Sequence, residues 1–268
     1  MMAALQKPYP LLLMCCCLLI ATSVKAADEP EKFVFEAGAF LTDVDTSIAV
    51  DVNGGTVGTS IDLEDDLGYK NDKTINRINA LYRFTNKHSL HYSFFQLDRS
   101  NAKSLEKTFI IGGEEYPVEA EVTSTFDYTI HYASYGYALH NEEDYQFDLL
   151  AGLYYLKAGF SISATGIGAS SSVAEKGPLP QVGFNYNKPL SDRWNLSLRS
   201  AILKFDVGDV DGLLVDTRLR VDYEVTDRFA LGLAYNWQKF RVDILDSDLE
   251  GRFSMTTTGP ELALLLRF

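Results

Sequence analysis

The chain has 268 residues, 24 Lys and Arg against 37 Asp and Glu, a formal net charge of −13, and 46% hydrophobic residues. So acidic a chain is poorly suited to nucleic acid, whose phosphates demand cationic partners. Cys15, Cys16 and Cys17 are its three cysteines, all in the first 26 residues, so no disulfide is expected in whatever folds after them.

Residues 1–26 read as a secretory signal. Lys7 precedes an apolar run from Leu11 to Ile20, and Val24-Lys25-Ala26 offers small residues where a signal peptidase reads. Cleavage is expected after Ala26, leaving 27–268 as a single domain. Met14 is too large for the residue before a lipidated Cys15, which argues against a lipoprotein anchor. Loss of Lys7 and Lys25 leaves 22 basic residues against 37 acidic ones, a net charge of −15. Beyond Ala26 no uninterrupted apolar run approaches the roughly 18 residues of a transmembrane helix. Two classes remain: a soluble secreted protein, or a membrane protein that spans as strands.

Strict alternation decides for the second. Ile78, Ala80, Tyr82 and Phe84 alternate with Arg77, Asn79, Leu81 and Arg83. Phe147, Leu149, Ala151, Leu153 and Tyr155 alternate with Gln146, Asp148, Leu150, Gly152 and Tyr154, and Trp194, Leu196 and Leu198 with Asn195, Ser197 and Arg199. From Leu213 to Val225 the pattern holds for 13 residues: Val215, Thr217, Leu219, Val221 and Tyr223 against Asp216, Arg218, Arg220, Asp222 and Glu224. Phe229, Leu231, Leu233, Tyr235 and Trp237 repeat it against small and amide residues. Side chains alternate faces along a strand, and strands can cross hydrocarbon only in a closed barrel, where every backbone group is bonded.

Four short polar breaks, 85–88, 141–144, 188–192 and 226–228, read as periplasmic turns. Longer acid- and Gly-rich stretches, roughly 51–75, 100–117, 163–179, 206–212 and 243–252, read as outer loops. The expected fold is therefore an all-β, closed antiparallel transmembrane barrel of about ten strands. They fall near 32–50, 76–84, 89–99, 118–139, 145–162, 180–187, 193–205, 213–225, 228–242 and 253–268. Chain termination at Phe268, with Leu262, Leu264 and Leu266 on the same face, resembles the C-terminal signature of bacterial outer-membrane barrels. In those proteins the barrel-assembly machinery reads it. The whole of 32–268 resembles the small barrels related to the OmpA and OmpW transmembrane domains, though ten strands depart from their eight. The resemblance implies an integral outer-membrane protein among outer-membrane lipids and lipopolysaccharide, and it carries no activity with it.

A ten-stranded lumen leaves little free space, and this chain points long residues of both signs into it. Arg77, Arg83, Arg199, Arg218, Arg220 and Arg267 face Glu36, Asp148, Asp216, Asp222, Glu224 and Glu261. Unpaired charges there are costly, so they are expected to form a network that obstructs the lumen. Barrel enzymes of similar size, the lipid-modifying acyltransferases and deacylases and the omptin proteases, use His with acidic or Ser partners. Here His88, His91 and His140 lie at or near periplasmic turns; only His131 lies well along a strand, with Asp127 and Thr129 on its face and Ser134 on the other. That spacing reads more simply as a polar histidine in the lumen or among interfacial aromatics.

Asp62, Glu64, Asp65 and Asp66, then Asp206, Asp209 and Asp211, then Asp243, Asp246, Asp248 and Glu250 form acidic outer loops. They read as a solvated rim, suited to loose divalent-cation bridging to lipopolysaccharide phosphates. An EF-hand at Asp209-Val210-Asp211-Gly212 fails, because Val207 and Arg218 occupy its first and twelfth ligand positions. Gly54-Gly55 and Gly112-Gly113 lack a phosphate-binding fingerprint, and Ala164–Ala174 reads as a flexible loop, so no cofactor is expected. The functional expectation is a non-enzymatic barrel acting in surface interaction or envelope integrity. A narrow pore for small solutes or ions and a membrane-embedded lipid-modifying hydrolase or acyltransferase are the alternatives.

Overall fold

The structure, a computed structural model, describes residues 31–52, 60–111, 114–207, 209–245 and 249–268. The signal segment, Gly54-Gly55, Gly112-Gly113, Asp246 and Asp248 lie outside the described residues. Thirteen strands follow: β1 Phe33–Val52, β2 Ile61–Asp62, β3 Asp72–Arg83, β4 His88–Ser104, β5 Phe109–Ile111, β6 Glu114–Tyr116 and β7 Glu121–Asn141. Then come β8 Gln146–Ala164, β9 Ser170–Pro189, β10 Trp194–Val207, β11 Val210–Thr226, β12 Phe229–Leu245 and β13 Leu249–Arg267. Ten of them form a closed antiparallel wall, β1-β3-β4-β7-β8-β9-β10-β11-β12-β13, sealed by β13 against β1. At the seam, Phe33 and Phe268 exchange backbone hydrogen bonds of 3.1 and 2.9 Å.

All four expected turns stand between consecutive wall strands. Several outer loops are shorter than the sequence implies. The stretch 163–179 is mostly strand: β9 begins at Ser170, and Ser170 to Pro180 pair residue by residue with β8. The stretch 206–212 shrinks to a tight connection between Val207 and Val210. β12 and β13 likewise pair to Leu245 and Glu250, and β4 runs on to Ser104.

The wall has two storeys. Near the turns, outward positions are apolar and aromatic, among them Leu90, Tyr135, Leu149, Trp194, Leu231, Leu233, Tyr235, Leu262 and Leu264, all exposed. About nine residues above the turns the alternation changes phase. On β12 the outward series Phe229, Leu231, Leu233, Tyr235, Trp237 becomes Lys239 and Arg241, while the inward series Ala230, Gly232, Ala234, Asn236, Gln238 becomes Phe240 and Val242. On β1, Glu36 and Gly38 give way inside to Phe40, Val44 and Ile48, as Asp43 and Asp45 appear outside. Phe95, Leu97, Phe126, Tyr128, Ile130, Phe160, Ile162, Leu203, Leu214 and Met255 complete one continuous apolar core in the upper lumen. Gly259 serves the bend in β13 at this level: its φ of +141° suits glycine, and a Cβ would come within 2.1 Å of the Leu41 carbonyl.

The wall is incomplete at one place. β3 pairs with β4 only from Arg77 to Arg83, although β4 continues along β7 to Ser104. β3 itself stays beside β1 as far as Asp72, opposite Asp43; beyond it the segment 61–71 takes over, with Leu63 N donating to the Thr46 carbonyl and Val44 N to that of Asn71 (both 2.9 Å). Side chains of β4 fasten it from the other side: Asn101 Nδ2 donates to the Leu67 carbonyl at 2.7 Å and Lys103 Nζ to that of Asp65 at 3.0 Å. Ile61, Leu63, Leu67 and Tyr69 thereby enter the core, joined by Phe109, Ile111 and Tyr116 of the β5–β6 hairpin.

Candidate functional site

The lower lumen holds the charges expected on the inward faces. Gly38 makes room for the central carboxylate: a Cβ there would stand 2.2 Å from Glu261 Oε1. Glu261, fully buried, accepts from Arg218 Nη2 and Asn236 Nδ2, both at 2.8 Å. Arg218 also donates to Glu36, which accepts from Arg220 and, at 2.7 Å, from Asn79. Arg220 Nε faces Asp222 at 2.7 Å. Arg77 donates to Asn236 Oδ1 at 2.7 Å and lies 3.6 Å from Glu261. Its guanidinium is held between the Phe40 and Phe95 rings, at 5.2 and 5.0 Å, so it marks the floor of the apolar storey.

Two further groups stand apart. Arg199 donates to Asp216 at 2.8 Å, Tyr154 donates to the same carboxylate, and the guanidinium lies 4.7 Å from the Tyr132 ring centre. Arg267 pairs with Glu224 and, at 3.4 Å, with Glu31. Arg83 and Asp148 do not join an ion pair among the described residues. Arg83 donates to the Glu31 carbonyl at 3.0 Å, and Asp148 accepts from the Gln146 and Asn185 amides at 2.9 and 3.4 Å. Nor do the charges themselves plug the barrel: beside them a cavity of about 710 Å³, lined in part by Glu36, Arg83, His91, Asn185, Arg220 and Arg267, lies among the periplasmic turns. The obstruction stands higher, in the apolar core, because phenylalanine and leucine fill the inward positions once the outer face becomes polar.

Sequence reasoning placed Glu64 on a solvated rim. Instead it is buried, with 8% of its surface exposed, and receives Arg99 Nη1 on one oxygen and Thr46 N on the other at 2.7 Å. Arg99 Nη2 reaches Thr46 Oγ1 at 2.7 Å, and the guanidinium lies 5.1 and 5.3 Å from the Tyr69 and Phe126 ring centres. Burial pushes the Glu64 carboxyl up from its ordinary range, and the Arg99 bond opposes that rise. This latch, tying the 61–71 segment to the wall, was missed; an apolar-flanked Glu64 in Leu63-Glu64-Asp65-Asp66-Leu67 was its only sequence signal.

The side chains weighed for hydrolysis do not converge. His131 faces outward, bonded to the Tyr92 hydroxyl at 2.9 Å and beside Phe94, while Ser134 is buried on the inner face. His91 Nε2 meets Ser89 Oγ at 3.0 Å, and His88 meets the Tyr135 hydroxyl. His140 Nε2 lies 3.0 Å from Asp144 in a turn, and with Glu142 these offer three potential metal-ligand atoms within 4.8 Å of one another. The His140 bond holds the Asp144 carboxyl below its usual range. Leu262, Leu264, Leu266 and Phe268 all lie on the exposed outer face of the closing strand.

No model of a protein family matches the sequence, and no curated relative does. Solved structures do resemble the fold. The outer membrane protease OmpT from Escherichia coli superposes with a TM-score of 0.57 at 12% identity, over 91% of this chain and 99% of that one. The translocator domain of the autotransporter NalP from Neisseria meningitidis gives 0.47 at 14% identity, over 88% and 89% of the two chains. At such identities the likeness is one of fold. It is the fold of outer-membrane barrels, and the chain is an integral β-barrel of the bacterial outer membrane, small and ten-stranded.

Proposed function

We propose that this is a closed, non-enzymatic barrel that acts in surface interaction or envelope integrity. In this reading residues 1–26 are cleaved during export, and the assembly machinery reads Leu262, Leu264, Leu266 and Phe268. One observation carries the proposal: the upper lumen is packed with apolar side chains and covered by the 61–71 segment and the β5–β6 hairpin. Ions and polar solutes need a continuous wet path, and a dense apolar core provides none. What the barrel offers outward is a polar upper wall and acidic loops, where divalent cations can bridge to lipopolysaccharide phosphates. The separation of His131 from Ser134 across the wall supports a role without hydrolytic chemistry.

Planar bilayers test the reading. The unmodified protein should give no conductance, or only small and infrequent openings. Large, stable conductance would overturn it in favour of the pore.

A further inference from the structure

Just above the apolar belt the outer wall carries a collar of charge divided by sign. Counting upward from the turns, and past Lys188 at the foot of β9, the first charged outward residues are Lys157 on β8, Lys176 on β9, Lys204 on β10 and Lys239 on β12, while β11 between the last two carries none until Asp211, higher up and opposite Asp206. On the opposite arc they are Asp43 on β1, Asp72 on β3, Asp98 on β4 and Asp127 on β7. Each stands about 10 to 14 positions above its turn, directly over outward residues such as Tyr155, Pro178, Ile202 and Trp237. In a spanning barrel that height is where hydrocarbon ends and outer-leaflet headgroups begin.

We propose that the lysine arc is a binding surface for the phosphate groups of outer-leaflet glycolipid. Lys157 and Lys176 are direct cross-strand partners, an arrangement of like charges that destabilises a sheet unless an anion lies between them. None of the four ammonium groups has a carboxylate within salt-bridge distance among the described residues. By contrast Arg241 and Arg252, further up the same side, are both engaged by Asp243. The nearest outward acid on the arc, Asp206, stands one outward position above Lys204, on the side away from the bilayer. Four free ammonium groups at headgroup height therefore face the level of the lipid phosphates, with aromatic and aliphatic side chains below to receive the acyl chains. The contact is direct and needs no divalent cation, which separates it from bridging by the acidic loops. It is also independent of whether the lumen conducts.

Native mass spectrometry of the full chain in detergent, titrated with bis-phosphorylated lipid A or its dephosphorylated counterpart, tests this. The unmodified protein should bind the phosphorylated lipid preferentially and keep it in EDTA. Lys157→Gln, Lys176→Gln, Lys204→Gln and Lys239→Gln should each weaken binding, by roughly fivefold per lysine. The matching Lys→Arg set should retain it, and Asp98→Asn with Asp127→Asn should not lower it. Heat-modifiable mobility of each variant establishes that it is folded. Equal binding of the dephosphorylated lipid, loss of binding in EDTA, or unchanged affinity in the folded quadruple Gln variant would each overturn the proposal.

Discussion

Below Arg77 the barrel carries its charges inside and its aromatics outside; above Arg77, on the same strands, the apolar residues are inside and the polar ones outside. The lower storey faces lipid, so apolar outward residues gain nothing by turning inward, and the polar half of each strand is left to fill the lumen. There the interior is held by ion pairs and amides, as in the Arg218, Glu36, Glu261, Asn236 and Arg77 group. The upper storey has water outside, and the hydrophobic effect packs Phe126, Phe95 and Leu97 inward as in any soluble domain. Two-residue alternation is therefore common to both storeys, while the meaning of each face depends on the solvent beyond the wall.

The largest expected effect probes the lower interior. Glu261→Ala should cost about 3–5 kcal/mol, because Arg218 and Arg77 would be left buried without their shared carboxylate. Urea midpoints in lipid vesicles measure it. Replacing Glu261, Arg218 and Arg77 together with Met should recover most of the loss, since apolar residues of similar volume replace buried ion pairs at little cost. A loss below about 1 kcal/mol for Glu261→Ala would mean that water, not pairing, compensates these charges.

A second comparison probes the outer faces. Leu149 on β8 lies in the belt, and Thr123 on neighbouring β7 lies above it, both exposed. Leu149→Arg should cost about 2–4 kcal/mol, the penalty of a cation against hydrocarbon. Thr123→Arg should stay within about 0.5 kcal/mol, as an ordinary surface substitution does. Similar costs at both positions would place the bilayer across the whole wall and erase the two storeys.

Much of this was legible in the sequence because a strand's period is fixed by geometry. In 147–155 and 229–237 one alternating series points outward and the other inward, as the two-residue period requires. Other features depend on contacts far apart in the chain. β9 begins at Ser170 because β8 pairs with it; its Ser, Gly and Pro content alone reads as loop. Glu64 is buried only because 61–71 folds into the mouth and meets Arg99, which lies 35 positions away. The phase change itself was present in the letters, as on β4, where Tyr92 and Phe94 outside yield to Gln96 and Asp98. Assigning one face per strand concealed it.

The smallest expected effect concerns one like-charged pair on the upper outer wall, where water rather than an opposite charge compensates the two carboxylates. Asp98 and Asp127 are direct cross-strand partners and both exposed. Partial burial, and then the neighbouring Asp98 carboxylate, raise the Asp127 carboxyl above its ordinary range. A carboxyl raised in the folded barrel binds its proton more tightly there than in the unfolded chain. This pair's contribution to stability should therefore grow as pH falls through the raised value and shrink as pH rises to neutral. Asp98→Asn removes the repulsion and should stabilise the barrel at pH 7.5 by only a few tenths of a kcal/mol, given solvent screening. The gain should be smaller still near pH 4, because the more readily protonated Asp127 of the unmodified barrel already sheds part of the repulsion. Paired urea midpoints of the two proteins at both pH values read the difference. If Asp98→Asn instead destabilises the barrel at neutral pH, and the loss disappears in EDTA, a bound cation rather than water compensates the two carboxylates, and the upper wall would then share the pairing rule of the lower lumen.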